Sequence, residues 1–258
     1  MTVYLAAPAV SADKAYSFGL PVALTSYKTG QGFHLYRTQL PDIRPALIYI
    51  DCTQFNGYGP HRLLCGEMMG ECIARGAGGI VLDISDFTPA VVSFCKYLSE
   101  SAKTNGLTVY LPYVPGISIE NVTSLVSSDT DRGSLELLLR SAASELGADN
   151  IALDIERVFR SYPLSRRRNA PQDMTGASPE ELIAEYGAAS FFSDDLCINY
   201  FTYRKQDGVY MTLYDNAHSI RKKLELADKL GIKKAFLYYP KTEDMVSELI
   251  RDMMLYSS

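Results

Sequence analysis

Short, almost continuously apolar runs alternate with stretches of helical periodicity along this chain. No other feature restricts its fold as strongly. The runs cover Thr2 to Ala7, Leu20 to Ser26, Ala46 to Asp51, Gly79 to Ile84, Leu107 to Pro112, Asn150 to Glu156, Leu196 to Tyr203 and Lys234 to Tyr239. Most lack the in-out alternation of a half-exposed sheet, and so read as parallel strands covered on both faces.

Helix signals fill the gaps. His61 to Arg75 spaces Leu64, Met68 and Cys72 near one helical face. Pro89 to Thr104 does the same with Val92, Cys95, Leu98 and Ala102, and Asn105-Gly106 stops it. Ser134 to Leu146 ends at Gly147, Ser178-Pro179 is an N-cap followed by a first-turn proline, Ser219 to Leu230 stops at Gly231, and Glu243 to Tyr256 closes the chain. Eight strands with helices between most of them predict an α/β fold, a single (β/α)8 TIM barrel over residues 1–258. An open doubly wound sheet is the runner-up. The early units are irregular: Ala7 to Leu20 looks too short for a full helix, and Gly30 to Arg44 reads as a loop. A ninth run, Val209 to Tyr214, follows Lys205-Gln206-Asp207-Gly208, a hairpin signal. Strand seven is therefore expected to continue into a hairpin extension above the barrel.

Composition narrows the partners. The formal net charge is -5, and the one basic run, Arg166 to Arg168, sits in a long loop. That run reads as a solvated loop, with an anion or substrate grip as the alternative. A mildly acidic chain is not expected to bind nucleic acid. No stretch approaches the ~18 apolar residues of a membrane span, so no membrane partner is expected. The five cysteines form no Cys-x-x-Cys pair, and there are only three histidines. These features suggest reduced thiols, no metal and no cofactor. The segment before the first apolar run has no basic residue, so the expected location is cytoplasmic, and extracellular only if a leader has been removed. The chain has no Trp but 18 Tyr and 10 Phe. If it handles sugars, its stacking surfaces must be Tyr or Phe.

In barrels of this kind the functional site lies at the C-terminal strand ends. The polar residues there are Asp51 on strand three; Asp83, Ser85 and Asp86 on strand four; Tyr113 after strand five; Asp154 and Glu156 on the next; Asn199, Tyr200 and Tyr203; and finally Tyr238 and Tyr239. Side chains two apart share a strand face. If Asp83 points into the barrel, Ser85 lies at its mouth, and Asp154 and Glu156 follow the same rule. A carboxylate on an apolar strand is costly unless paired or hydrogen-bonded, so these positions imply either a polar cup or acids that cap loops and pair with Arg157 and Arg160. Two carboxylates across a cup can serve as acid and base on a glycosidic bond.

Between about residues 60 and 245 the chain resembles the chitinase-like family 18 glycoside hydrolases, closest in layout to their bacterial spore-type branch. The family's fourth strand reads Asp-Gly-x-Asp-x-Asp-x-Glu, and Gly78-Gly79-Ile80-Val81-Leu82-Asp83-Ile84-Ser85 occupies that place here. Ala148 to Glu156 resembles the family's sixth strand, which usually carries Met-x-Tyr-Asp. Tyr214-Asp215-Asn216-Ala217-His218 through Lys223-Leu224, then Leu230-Gly231-Ile232 through Tyr238, resembles its last helix and strand.

What the resemblance implies is a barrel that binds a carbohydrate or glycan-like small ligand. The departures bear on activity. The position of the family's general acid is Ser85, and of the acidic motif positions only Asp83 remains. The sixth-strand Met and Tyr positions fall on Asp154 and Glu156, and Tyr238 stands at the usual Trp platform. A second register is open, because Asp149-x-x-Ala152-x-Asp154-x-Glu156 keeps three of the motif's four acids and would make Glu156 the general acid.

Three readings follow. The first is a glycoside-hydrolase-like barrel that lacks standard chitinase activity and binds a glycan through Asp51, Ser85, Tyr113, Asn199, Tyr200, Tyr203, Tyr238 and Tyr239. The second is an active hydrolase with relocated carboxylates, Glu156 with Asp154, Asp83 or Asp86. The third is a scaffold or interaction module, since fold does not fix function.

Overall fold

The structure, a computed structural model, describes residues 1–30, 33–130, 133–164, 172–174 and 176–255. In chain order the strands are β1 (Thr2–Ala7), β2 (Val22–Thr29), β3 (Leu35–Arg37), β4 (Leu47–Asp51), β5 (Gly79–Asp83), β6 (Thr108–Pro112), β7 (Val122–Ser127), β8 (Ile151–Ile155), β9 (Phe159–Pro163), β10 (Gln172–Asp173), β11 (Ser190–Ser193), β12 (Ile198–Lys205), β13 (Gly208–Tyr214) and β14 (Lys234–Tyr238). The helices are α1 (Ala9–Ser17), α2 (His61–Arg75), α3 (Pro89–Thr104), α4 (Leu135–Leu146), α5 (Pro179–Tyr186), α6 (Ala217–Lys229), α7 (Tyr239–Thr242) and α8 (Val246–Leu255).

Eight parallel strands close a barrel in the order β1-β14-β8-β7-β6-β5-β4-β2, with β2 returning to pair with β1. Each strand contributes one side chain to a central layer: Ala6, Ala23, Leu47, Val81, Tyr110, Leu125, Ala152 and Phe236. These side chains, Tyr110 and Phe236 the bulkiest, fill the centre of the ring, so the barrel is plugged rather than hollow. Tyr4 stacks on Phe236 at 4.9 Å, and Tyr110 meets the same ring edge-on at 5.3 Å. Two larger apolar clusters fill the space between the strands and the outer helices.

Two expectations about the early units change. The stretch after β1 does form a helix, the nine-residue α1, which buries Ala12 and Ala15. The loop before β4 contains the short β3, antiparallel to β2. Both elements are held by tertiary packing despite being too short to persist alone.

The larger correction concerns the strand count. The sixth barrel strand is β7, so the Asn150 run is the seventh and the Leu196 run is not a barrel strand. That run forms β12, which hairpins onto β13 with Lys205 opposite Gly208, as the Asp-Gly signal suggested. It belongs to a five-stranded antiparallel sheet, β10-β9-β13-β12-β11, inserted between the seventh and eighth barrel strands. Phe201, Tyr203 and Tyr214 of this sheet pack with Leu182 of α5 in a core of their own. Helix α5 opens on a capping box in which Ser178 and Glu181 each accept the other's backbone N–H. The basic run Arg166 to Arg168 lies outside the described residues.

Candidate active site at the barrel mouth

Strand alternation builds the site one layer above the plug. Two residues beyond the plug residue on their strands stand Thr25, Tyr49, Asp83, Ser127, Asp154 and Tyr238; two further on stand Asp51 and Glu156. Tyr49, Asp51, Asp83, Asp154, Glu156 and Tyr238 line a cavity of about 480 Å³ at the C-terminal strand ends, together with Thr25 and Lys241. Asp83, and Asp154 with Glu156, thus take the inward of the two directions that strand alternation leaves open.

The strand ladder sets these acids close together. Asp51 and Asp83 are opposite partners on the neighbouring strands β4 and β5, and the Cys52 N–H donates to the Asp83 carbonyl at 2.9 Å. Asp154 of β8 sits opposite Ser127 of β7. Ser127 Oγ donates to Glu156 Oε1 at 3.0 Å, and the Glu156 N–H donates to Ser128 Oγ at 3.2 Å. Asp51 Oδ1 accepts from the Thr53 N–H at 2.9 Å and from Thr53 Oγ1 at 2.7 Å.

Electrostatics separates these carboxyls. Burial, then the charges of Glu156 and Asp83, push the Asp154 carboxyl up to about 7. Asp83 moves up as well, through burial and then Asp51 and Glu156. The Tyr49 phenol is raised by burial and by the surrounding carboxylates, Asp83 first. Asp154 is thus a carboxyl able to hold a proton near neutral pH, the property a general acid requires. Arg157 and Arg160 do not neutralise the cup. Arg157 pairs with Asp244 at 2.8 Å, and Arg160 pairs with Asp129 and Asp173, each at 2.9 Å.

The other candidate residues lie elsewhere. Ser85 and Asp86 are exposed beyond the end of β5 and do not line the cavity. Tyr113 donates to Glu145 Oε2 at 2.7 Å, while the Gly116 N–H donates to Glu145 Oε1, which pins the loop after β6. Asn199 is buried and donates to Asn216 Oδ1 at 3.0 Å. Tyr203 is in the core of the second sheet, and Tyr200 packs beside the exposed Phe191 on that sheet. Tyr239 is buried against Phe18 behind the barrel wall, whereas its neighbour Tyr238 is 42% exposed at the cavity rim.

Sequence reasoning missed Tyr49, Ser127 and Lys241. Tyr49 was within reach, being two residues before Asp51 on one strand face. Ser127 was hidden with its strand, and Lys241 lies three residues beyond the strand end, past the Tyr238 and Tyr239 that the strand pattern picked out. Asp149-x-x-Ala152-x-Asp154-x-Glu156 lies on the seventh barrel strand, so it cannot stand for the family's fourth. For the same reason Asp154 and Glu156 do not occupy the family's sixth-strand positions. Gly79, the motif glycine of the fourth strand, has a packing reason: a Cβ there would lie 2.3 Å from Thr108 Oγ1 and 2.4 Å from the Thr108 carbonyl oxygen.

Among the described residues, no group of three His, Cys, Asp or Glu side chains is placed to hold a metal ion. No described helix is long and apolar enough to cross a membrane.

No family model and no curated protein matches the sequence. Solved structures do match its fold. A chitinase from Chromobacterium violaceum superposes with a TM-score of 0.70 at 15% identity, over 92% of this chain and 93% of that one. The spore cortex-lytic enzyme of Bacillus megaterium gives 0.68 at 12% identity, over 92% of this chain and 70% of that one. A family GH18 chitinase from Cycas revoluta in complex with (GlcNAc)3 gives 0.64 at 14% identity, over 98% and 99%. The chain has the chitinase-like GH18 barrel fold.

Proposed function

We propose that the barrel binds an oligosaccharide or related glycan in the acidic cup at its C-terminal strand ends, and does so without the standard chitinase reaction. The observation that carries this reading is the contrast at β5: Asp83 lines the cavity while Ser85, at the general-acid position of the family motif, is an exposed hydroxyl. A serine hydroxyl is far too weak an acid to protonate a leaving glycosidic oxygen usefully at neutral pH. Tyr238 at the rim offers an aromatic face for a sugar ring, and the carboxyls below it accept hydrogen bonds from hydroxyls. The fold likeness to a chitinase solved with (GlcNAc)3 supports a carbohydrate as the ligand class. The open cavity weighs against a barrel that is only a scaffold.

A second reading has its own support. Asp154, raised to about 7 by burial and by Glu156 and Asp83, is suited to proton donation. In an active hydrolase Asp154 would protonate the leaving oxygen, and Glu156 or Asp83 would act opposite it. Reducing-end release from chitin and peptidoglycan oligosaccharides, alongside calorimetric binding, decides between the two. Binding without turnover is expected. Turnover that disappears in Asp154→Asn would replace the first reading by the second, and absence of both binding and turnover would remove both.

A further inference from the structure

We propose that the cup selects a glycan carrying a free, protonated amine over its N-acetylated or neutral counterpart. The inference rests on the binding reading above and names the ligand class of that same site.

The charge inventory of the cavity motivates it. Four acidic side chains, Asp51, Asp83, Asp154 and Glu156, line it, against one cationic side chain, Lys241. The arginines nearest in sequence are committed to Asp244, Asp129 and Asp173, so they bring no compensating charge to the floor. Glu156 accepts from Ser127, and Asp51 accepts from Thr53. Asp83 and Asp154, set beneath the mouth, have no side-chain hydrogen bond to any described residue.

Carboxyls crowded in this way raise one another's cost of ionisation. A neutral sugar supplies hydroxyl donors but leaves the repulsion in place. An ammonium supplies three donors and the missing charge together. Tyr49 and Tyr238 provide the aromatic faces a pyranose needs, and an aromatic face also favours a nearby cation. An aminoglycan ring, with its amine directed to Asp83 and Asp154 and its face on Tyr238, meets all of these features at once.

The test compares glucosamine oligosaccharides with N-acetylglucosamine oligosaccharides of equal length, by calorimetry on the intact chain at neutral pH, where the amine keeps a proton and the Asp154 carboxyl, which titrates at about 7, can give one up. The amine form is expected to bind at least about tenfold more tightly, the effect of one charged hydrogen bond. That preference should shrink on raising the salt and disappear in Asp83→Asn and in Asp154→Asn. A melting curve on each variant separates lost folding from lost recognition, and Glu156→Gln serves as a further variant if either fails to fold. Equal or tighter binding of the acetylated form would overturn the amine preference and leave the binding reading intact. If neither form binds, both fall. Binding of the amine form that the Asp variants do not weaken would also overturn the inference, since the charge would then be read elsewhere.

Discussion

Lys223 Nζ lies 2.8 Å from Asp215 Oδ2, and neither side chain is reached by solvent. The same carboxylate accepts the Val158 N–H at 3.0 Å, and its other oxygen accepts Ser219 Oγ at 2.8 Å. The Asp215 N–H returns a bond to the Val158 carbonyl. The pair therefore ties the exit of β8, two residues past Glu156, to the start of α6. Removing one member of a buried pair strands the other charge. Lys223→Met should cost about 3–5 kcal/mol in urea unfolding. Asp215→Ala should cost more, since it also orphans the Val158 N–H and Ser219. Equal costs would show that the backbone tie contributes nothing.

Asp154 predicts an unusual pH dependence of stability. Its carboxyl titrates near 7 in the fold against about 3.9 when unfolded. A raised folded value means the folded chain holds the proton more tightly. The resulting stability is complete below about pH 4 and is lost as pH rises through 7. Asp83 acts in the same direction. Between pH 4 and 8 the protein should lose on the order of 2–4 kcal/mol relative to Asp154→Asn, read as the difference between their urea midpoints at each pH. Parallel pH profiles for the two proteins would contradict the raised value.

The barrel was legible wherever a strand was buried on both faces and wrote itself as an apolar run. Strand β7 escaped because its Thr123, Ser124 and Ser127 break the run, although Leu125 fills the plug and Ser127 reaches Glu156. With β7 lost, β12 was promoted into the barrel to complete the count of eight. Its apolar residues serve a second core that no local pattern separates from the first. The site was legible where alternation carried it, at Asp83, Asp154 and Glu156. Ser85, set at the mouth by alternation, and Asp86, Tyr113 and Tyr239, set there by proximity to a strand end, do not line the cavity, because beyond the last strand residue the period-two rule no longer fixes direction.

The thiols should be silent in the native state. All five cysteines are free and buried. Burial pushes Cys65, Cys72 and Cys95 up to about 12 and raises Cys52 and Cys197 as well. Thiolates are the reactive form, so a colorimetric disulfide reagent at pH 8 should label none of the five within minutes, and all of them in denaturant. A thiol that reacts rapidly in the native protein would show that its element opens.

Tyr238 and Tyr239 are neighbours in sequence with opposite expected roles. Tyr238 is 42% exposed at the cavity rim, and Tyr239 is fully buried beside Phe18 with ring centroids 6.0 Å apart. An aromatic contact is worth about 0.5–1.5 kcal/mol beyond its burial. Tyr238→Ala should therefore weaken glycan binding by about threefold to tenfold, with little change in melting temperature. Tyr239→Ala should cost about 3–5 kcal/mol of stability, as for a large aromatic removed from a packed core. The affinity of the fraction that remains folded should change far less. The paired measurement is a calorimetric titration and a urea melt on each variant. If Tyr238→Ala leaves affinity untouched, the sugar ring does not rest on the rim, and the ligand must lie deeper, among Tyr49, Asp83 and Asp154.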